Sequence, residues 1–480
     1  MSRYLPPNAT LKSTLESVPS NVNPFEFGQE VINSLRFPKV PTATVAVLIV
    51  FAIIHFLSAI VCVVILLRFI FPKSATQKAK YDWLFRRIYV EDGDGYPVES
   101  TALILPNSGP LMACFQLLAS IVATAEIWLT LASFKSYNVA SKNGLLLWLY
   151  ISWLLAFYGF WVTAWASVYT RLYTQTAYAE ILKSSPSFIF KPLFLNCFFL
   201  GVPALVTLVE VGLLAWHITS FCRERDIWHD LVDSMKEAAK SWTTLNNTTN
   251  AATAMLKDGL FNNVTGDGNV TALVAQTRDV TRRAASLVRT DGGLIQSSQV
   301  MAFAWGVILL ITLLIYATAT WSLISLIKGA DSEPVRRKRK VQVALLVRRK
   351  NTYTEEGGAI SLDKEDARLL HRGLRYLTLH SLTMISAIFY STVVCFLMGA
   401  RAKDIVLTAH WRGVGSWLSL ANGIFIATAM SFQFWRVWVD LDIIIPVQDP
   451  RKQHECGSCQ DIPMQEAKGR IWRSSCTCDA

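Results

Sequence analysis

Two carboxylates, Glu126 and Glu210, stand inside long apolar segments of the sequence. A charge at the depth of a lipid bilayer costs at least about 2.5–3.5 kcal/mol, so such groups usually face other helices and find polar partners. No Lys or Arg lies near the middle of either segment. The sequence offers Tyr150, His410 and Arg412 as partners near the outer face and Tyr158 as a deeper one. We expect these residues to line a polar, cation-attracting cavity. The alternative is a pair of protonated acids, each hydrogen-bonded between helices.

Four cysteines near the C-terminus form one C-x2-C pair and one C-x-C pair: Cys456, Cys459, Cys476 and Cys478. Two thiolate pairs are a donor set for zinc, although C-x-C is an awkward spacing for a tetrahedral site. Cysteines close to a membrane are also lipidation sites. Lipidation, zinc binding and free thiols all remain open, and the sequence defines no metal site with certainty.

The familiar catalytic motifs are absent from the sequence. There is no H-E-x-x-H zinc motif, no G-x-S-x-G nucleophile motif and no phosphate-binding glycine loop. We therefore expect no enzymatic activity and no cofactor.

The composition indicates a membrane protein. Of 480 residues, 52% are hydrophobic and only 17% are charged, against about 25% charged in an ordinary soluble domain. A transmembrane helix needs roughly 20 apolar residues, and seven segments reach that length. They are residues 43–71, 111–134, 145–169, 193–219, 300–327, 377–400 and 411–437. The expected fold class is therefore an all-α polytopic bundle of seven transmembrane helices.

The distribution of Lys and Arg predicts the orientation, because cytoplasmic loops are enriched in these residues. If the N-terminus is outside, 28 of the 46 Lys and Arg residues fall in cytoplasmic segments. Nine of the other 18 lie in one long outer loop, and long loops carry little topological weight. We expect an extracellular N-terminus, a cytoplasmic C-terminus and, by default, the plasma membrane. The net charge of +11 thus indicates orientation, not nucleic-acid binding.

N-glycosylation sequons give an independent indication of the same topology, because they are used only on the lumenal or extracellular side. Five asparagines satisfy N-x-[ST], and all lie in segments assigned to the outside: Asn8, Asn246, Asn247, Asn263 and Asn269. We expect a glycoprotein.

The domain organisation follows from these segments. We expect an extracellular tail over residues 1–42, a membrane domain over 43–437 and a cytoplasmic tail over 438–480. Within the loop at 220–298, apolar residues recur at helical spacing in two stretches, which predicts an extracellular helical hairpin with a glycosylated tip. These residues are Ile227, Leu231, Met235, Ala238 and Trp242, then Leu273, Val280, Ala284, Leu287 and Val288.

The cytoplasmic loop at 328–376 contains a basic cluster. It comprises Arg336, Arg337, Lys338, Arg339, Lys340, Arg348, Arg349 and Lys350. Such clusters attract anionic lipid headgroups at about 1 kcal/mol per cation. A cytoplasmic protein effector is the alternative partner.

Seven spans with the N-terminus outside resemble the topology of G-protein-coupled receptors. The resemblance is confined to topology: Tyr169-Thr170-Arg171, at the inner end of the third span, shares only its Arg with the acidic-Arg-aromatic triplet of rhodopsin-like receptors. It implies a receptor-like sensor of an extracellular ligand, signalling through cytoplasmic loops to a heterotrimeric G protein or another effector. The alternative is a transporter, a channel or a non-signalling membrane scaffold.

Overall fold

A computed structural model describes residues 22–36, 41–71, 84–89, 99–135, 139, 147–174, 188, 191–248, 268–329 and 364–442. The chain divides into two compact units, Met1–Val437 and Trp438–Ala480. Of the second unit, the structure describes only the end of the last helix. Everything below concerns the first unit.

The described residues form nine helices and two short strands. The helices are α1 (Pro24–Arg36), α2 (Thr42–Ile70), α3 (Ser108–Lys135), α4 (Leu147–Thr174), α5 (Pro192–Thr248), α6 (Gly268–Gly329), α7 (Lys364–Ala400), α8 (Ala402–Leu407) and α9 (Ala409–Asp442), and the strands are β1 (Phe85–Ile88) and β2 (Leu103–Pro106). Seven of the helices, α2 to α7 and α9, are long and apolar enough to cross a membrane. The predicted all-α bundle with seven spans is confirmed.

The lipid-facing surface supports a membrane-spanning bundle. Large apolar side chains along α2, α3, α5 and α6 are exposed, as expected where lipid rather than water surrounds the helices. Exposed tryptophans stand near the ends of spans: Trp128 and Trp216 on the side that carries the α5–α6 hairpin, Trp321 and Trp435 on the other. Tryptophan is enriched at both membrane–water interfaces. We call these two ends of the bundle the hairpin side and the opposite side.

Helices α5 and α6 continue well beyond the bundle, with 57 and 62 residues. The predicted helical hairpin between the fourth and fifth spans is therefore confirmed. Its predicted apolar positions are mostly buried, including Leu231, Met235, Ala238 and Leu273. Val288 is wrong as a core position, since 71% of it is exposed. It directly follows Leu287, and one residue turns about 100° around a helix.

Helix α6 is the centre of the packing. It packs extensively against α5 and α7 and also contacts α4. Between α6 and α7 two glycines and two phenylalanines pack reciprocally. A Cβ on Gly306 would lie 3.0 Å from the Phe396 ring, and a Cβ on Gly399 would lie 2.9 Å from Phe303. Small residues let membrane helices approach closely, and each glycine here makes room for an aromatic ring.

Three of the described elements are additional to the seven predicted spans: the strand pair, helix α1 and the short helix α8. Strands β1 and β2 pair antiparallel on the opposite side. The Asn196 side chain of α5 ties this hairpin to the bundle, because it accepts from Ile104 N (2.8 Å) and donates to Ala102 O (2.8 Å). Helix α1 lies in the segment predicted as an N-terminal tail. Asn23 caps it, since Asn23 Oδ1 accepts from Phe25 N at 3.1 Å, and Pro24 takes the first helical position, where proline is favoured.

We expect Gly399→Ala to lower the thermal unfolding midpoint of the purified protein. The added methyl overpacks the Phe303 contact, and overpacking a tight core typically costs about 1–3 kcal/mol. Gly212→Ala is the matched control, because its Cβ would meet nothing within 4 Å. That control should keep or raise the midpoint, since alanine is the better helix former by about 1 kcal/mol. Equal midpoints for the two variants would contradict the close packing of α6 on α7.

Candidate functional site

Glu210 occupies the polar centre of the bundle. It is 3% exposed, and three helices surround it. Tyr150 of α4 and Cys395 of α7 interact with it electrostatically, and the Trp305 indole of α6 lies beside it. Among the described residues, no ion pair involves Glu210. The site is therefore a carboxyl group among aromatic and weakly polar neighbours.

Glu126 lies in a different environment. It is 5% exposed, and Thr130, one turn along the same helix, donates a hydrogen bond to its Oε1 at 3.2 Å. Its neighbours Ala123 and Ile127 belong to an apolar cluster that α3 forms with α2 and α9. The interactions that the structure describes for Glu126 and for Glu210 thus involve separate sets of residues.

The other predicted cavity residues are distributed along the bundle. The Tyr158 hydroxyl is hydrogen-bonded to Thr207 of α5, one turn from Glu210. Arg412 donates to the carbonyls of Ile405 and Val406 at the end of α8. His410 is exposed, and its ring faces the neighbouring Trp411. Of these three residues, Tyr158 is the one whose described contact, Thr207, lies on α5 within one turn of Glu210.

His217 joins the Glu210 cluster, although the sequence analysis did not select it. It is 1% exposed and meets the Tyr150 ring edge-on at 5.5 Å between centroids. Its Nδ1 lies 3.1 Å from Ser297 Oγ, and Ser297 donates its hydroxyl proton to Leu294 O. Because a serine hydroxyl has one proton, Nδ1 must be the donor to Ser297. The neutral imidazole is thus protonated on Nδ1.

A seven-residue repeat explains why these groups meet. Along α5, one seam of buried positions recurs every seven residues, as in a coiled coil: Glu210, His217, Glu224, Leu231, Ala238 and Leu245. The distal half of this seam is apolar and the half nearer the membrane is titratable. The repeat was visible in the sequence, but the predicted helical stretch started at Ile227 and so excluded its polar members.

Three buried polar atoms around Tyr150 and Glu210 make no hydrogen bond of normal geometry, although Ser298 lies beside Tyr150 and Trp305 lies beside Glu210. They are Glu210 Oε1, Ser298 Oγ and Trp305 Nε1. An unsatisfied buried polar group costs roughly 1–3 kcal/mol. Three such atoms in one cluster therefore leave hydrogen-bonding capacity for a proton or a small polar species.

A small cavity of about 20 Å³ adjoins this cluster, and that volume is enough for a water molecule. Its wall includes Cys395, a neighbour of Glu210, and Trp153, which packs against Tyr150 and Trp305. Helix α9 contributes Ser419 and Asn422. Asn422 Oδ1 is buried and has no hydrogen-bond partner in the described structure. The polar centre thus extends from α5 to α9.

The hairpin and α1 form a second candidate surface, a three-helix unit. Phe25 of α1 is 1% exposed and packs among Met235, Trp242 and other hairpin residues. Asn23 Nδ2 donates to Ala239 O at 3.0 Å. Gly28 faces Met235, whose Cε would lie 2.7 Å from an added Cβ. Helix α1 therefore docks on the hairpin, which places the segment before the first span on the hairpin side.

An ion-pair network crosses the hairpin. Arg283 of α6 pairs with Asp279 at 2.6 Å on its own helix and with Asp230 of α5 at 3.2 Å. Hydrogen bonds from Arg283 and Arg282 lower the pKa of Asp279 below its usual value. The groups are partly exposed, and exposed pairs contribute about 0–1 kcal/mol. Their main effect is to hold the register of the two helices.

The remaining predicted sites lie outside what the structure describes. Asn246, Asn247 and Asn269 fall on the distal ends of α5 and α6, where only the backbone is described, and Asn8 and Asn263 lie outside the described residues. The basic cluster at 336–350 and the four tail cysteines also lie outside them. Within the described part of the chain, no group of three His, Cys, Asp or Glu residues is placed to hold a metal ion.

Comparison with known proteins identifies no relative: no family model, no curated protein and no solved structure matches the chain. The chain is an integral membrane protein with seven candidate transmembrane helices.

We expect Phe25→Ala to release α1 from the hairpin. Truncating a buried phenylalanine costs about 3–5 kcal/mol, which is large for a 13-residue helix held by one apolar cluster. Hydrogen exchange of α1 amides and cleavage by a protease between α1 and α2 should both accelerate. Val22→Ala is the matched control, since Val22 is 37% exposed and lies just before the cap. If Phe25→Ala left α1 as protected as the control does, the docked position of α1 would be wrong.

Proposed function

We propose that the chain is a non-enzymatic, receptor-like sensor. An extracellular ligand or partner binds the unit formed by α1 and the α5–α6 hairpin, and the cytoplasmic loops report the event. The observation that carries this proposal is the continuity of α6. Its 62 residues span about 93 Å at 1.5 Å per residue, which is three times the roughly 30 Å of a bilayer core.

This continuity gives a physical route for a signal. The distal end of α6 packs under α1 in the three-helix unit, and its middle packs against α4, α5 and α7 in the bundle. Beyond Gly329 the sequence enters the basic cluster that begins at Arg336. A rotation or shift of α6 at the hairpin therefore changes the position from which this cluster leaves the membrane.

The proposed partners follow from the charges. The basic cluster suits anionic lipid headgroups at the cytoplasmic face. It equally suits the acidic surface of an effector, and a heterotrimeric G protein is the effector that the seven-span topology suggests. We place the protein in the plasma membrane with the N-terminus and hairpin outside, in line with the Lys and Arg distribution and the sequons.

The coupling can be measured by spin-label distances in the full chain, reconstituted in nanodiscs and with reactive cysteines replaced. One label replaces Phe71 at the end of α2 and the other replaces Trp321 in α6, since both side chains are exposed. Phe25→Ala perturbs the three-helix unit at a position 46 residues before the nearer label, Phe71. We expect it to change this distance, whereas Val22→Ala should not.

The same preparations, added to a heterotrimeric G protein, should accelerate nucleotide exchange. Unchanged label distances, no exchange and a measured flux of solute through proteoliposomes would together overturn the sensor proposal. They would favour a transporter or channel instead.

Glycosylation tests the orientation separately. Protein made in a eukaryotic secretory host should gain mobility on a gel after glycosidase treatment. Replacing Asn246, Asn247, Asn263 and Asn269 with Gln should remove most of that shift. Asn8→Gln alone should remove only the share of a single glycan. If the untreated protein carried no glycan in such a host, the hairpin would not lie in the lumenal or extracellular compartment.

A further inference from the structure

The Glu210 carboxyl group is buried without a compensating positive charge. The groups that face it are Tyr150 from α4, Trp305 from α6 and Cys395 from α7, with His217 one heptad away on its own helix. Of these, Tyr150, Cys395 and His217 titrate, and none is a permanent cation. An ionised carboxylate is unfavourable in such a place unless a charge of opposite sign accompanies it.

The hydrogen-bonding groups around Glu210 match a protonated acid better than a carboxylate. A carboxylate only accepts, whereas a carboxylic acid both donates and accepts. Trp305 Nε1–H is a donor beside the Glu210 carboxyl group, and the Tyr150 hydroxyl, which Ser298 contacts, is close enough to Glu210 to interact with it. One proton on the carboxyl group gives it a donor for a hydroxyl and an acceptor for the indole. A metal cation would have to compete with the indole proton for the same carboxylate.

His217 extends this cluster of titratable groups toward the hairpin side of the bundle. It lies seven residues further along α5 and touches Tyr150, which in turn interacts with Glu210. With Nδ1–H donated to Ser297, its Nε2 is the atom that gains a proton when the ring becomes imidazolium. An imidazole at this position can accept a proton and release it again, and glutamate and tyrosine can do the same.

We propose that Glu210 is a proton-binding site that exchanges with the aqueous phase on the hairpin side by way of His217. Loading converts the carboxylate to a carboxylic acid. One proton enters, the charge of the cluster rises by one, and no other bond is made or broken. This proposal does not rest on the receptor-like role, because a proton site is equally compatible with a transporter.

Infrared difference spectroscopy tests it on the full chain in nanodiscs, because only a protonated carboxyl group shows the acid C=O band. A rise in pH should remove a band that Glu210→Gln lacks from the start. Glu126→Gln is the matched control, because the Glu126 carboxyl group is also buried but contacts a different set of residues. In this variant the pH-dependent Glu210 band should remain. Should Glu210→Gln fail to fold, Trp305→Phe keeps the acid, removes the indole N–H beside it and should shift the frequency of its band.

The route is tested by the rate of loading after a rapid pH jump. His217→Phe keeps a ring against Tyr150 and removes both nitrogens, so it should slow the change in the Glu210 band by at least about tenfold without changing its final amplitude. An unchanged rate would overturn the role of His217. A Glu210 band that does not change with pH would overturn the proton site. A band that changes when sodium is replaced by an organic cation at fixed pH would overturn it too.

Discussion

The antiparallel seam between α5 and α6 is the interaction on which the rest of the structure depends. Its contacts keep one register over the whole length, with Glu210 beside Trp305, His217 on Ser297 and Asp230 paired with Arg283. Outside the membrane, apolar side chains hold the seam because water drives them together. Inside the membrane that driving force is absent. Close packing and polar contacts must hold the same two helices there.

The polar members of the seam therefore have a structural consequence besides any chemistry. An apolar heptad seam can slide by seven residues and lose little, whereas a polar residue in the seam specifies the register. A slip of one heptad would separate His217 from Ser297 and leave a buried imidazole without that partner. It would also displace Met235 from beneath Gly28, so the docking of α1 depends on a register that is fixed nearer the membrane.

Much of the fold is predictable because the bilayer imposes it. Seven apolar segments suffice to predict seven helices, since lipid leaves no other way to satisfy the backbone of a single spanning segment. Helix α1 was also within reach: Asn23, Pro24 and Glu26 form a cap, a first position and an acidic first turn. The strand pair was not predictable, because its two four-residue strands are held in place by Asn196, which is distant in the sequence. The neighbours of Glu210 come from three other helices, and no local sequence pattern indicates which faces of these helices meet.

The stiffness of α6 decides how far a displacement at the hairpin travels. Within the membrane, Gly306 and Gly399 bring α6 so close to α7 that neither helix can rotate without moving a phenylalanine ring. Just outside it, Gly292 and Gly293 have nothing within 4 Å of an added Cβ, and paired glycines are where helices bend most readily. Without support from neighbouring helices, α6 would bend at this glycine pair when its distal end is displaced. Phe221 of α5 packs against Leu294 immediately beyond this pair, together with Val406 of α8. These contacts support α6 across its weakest point, and they hold only as long as α5 stays in register beside it.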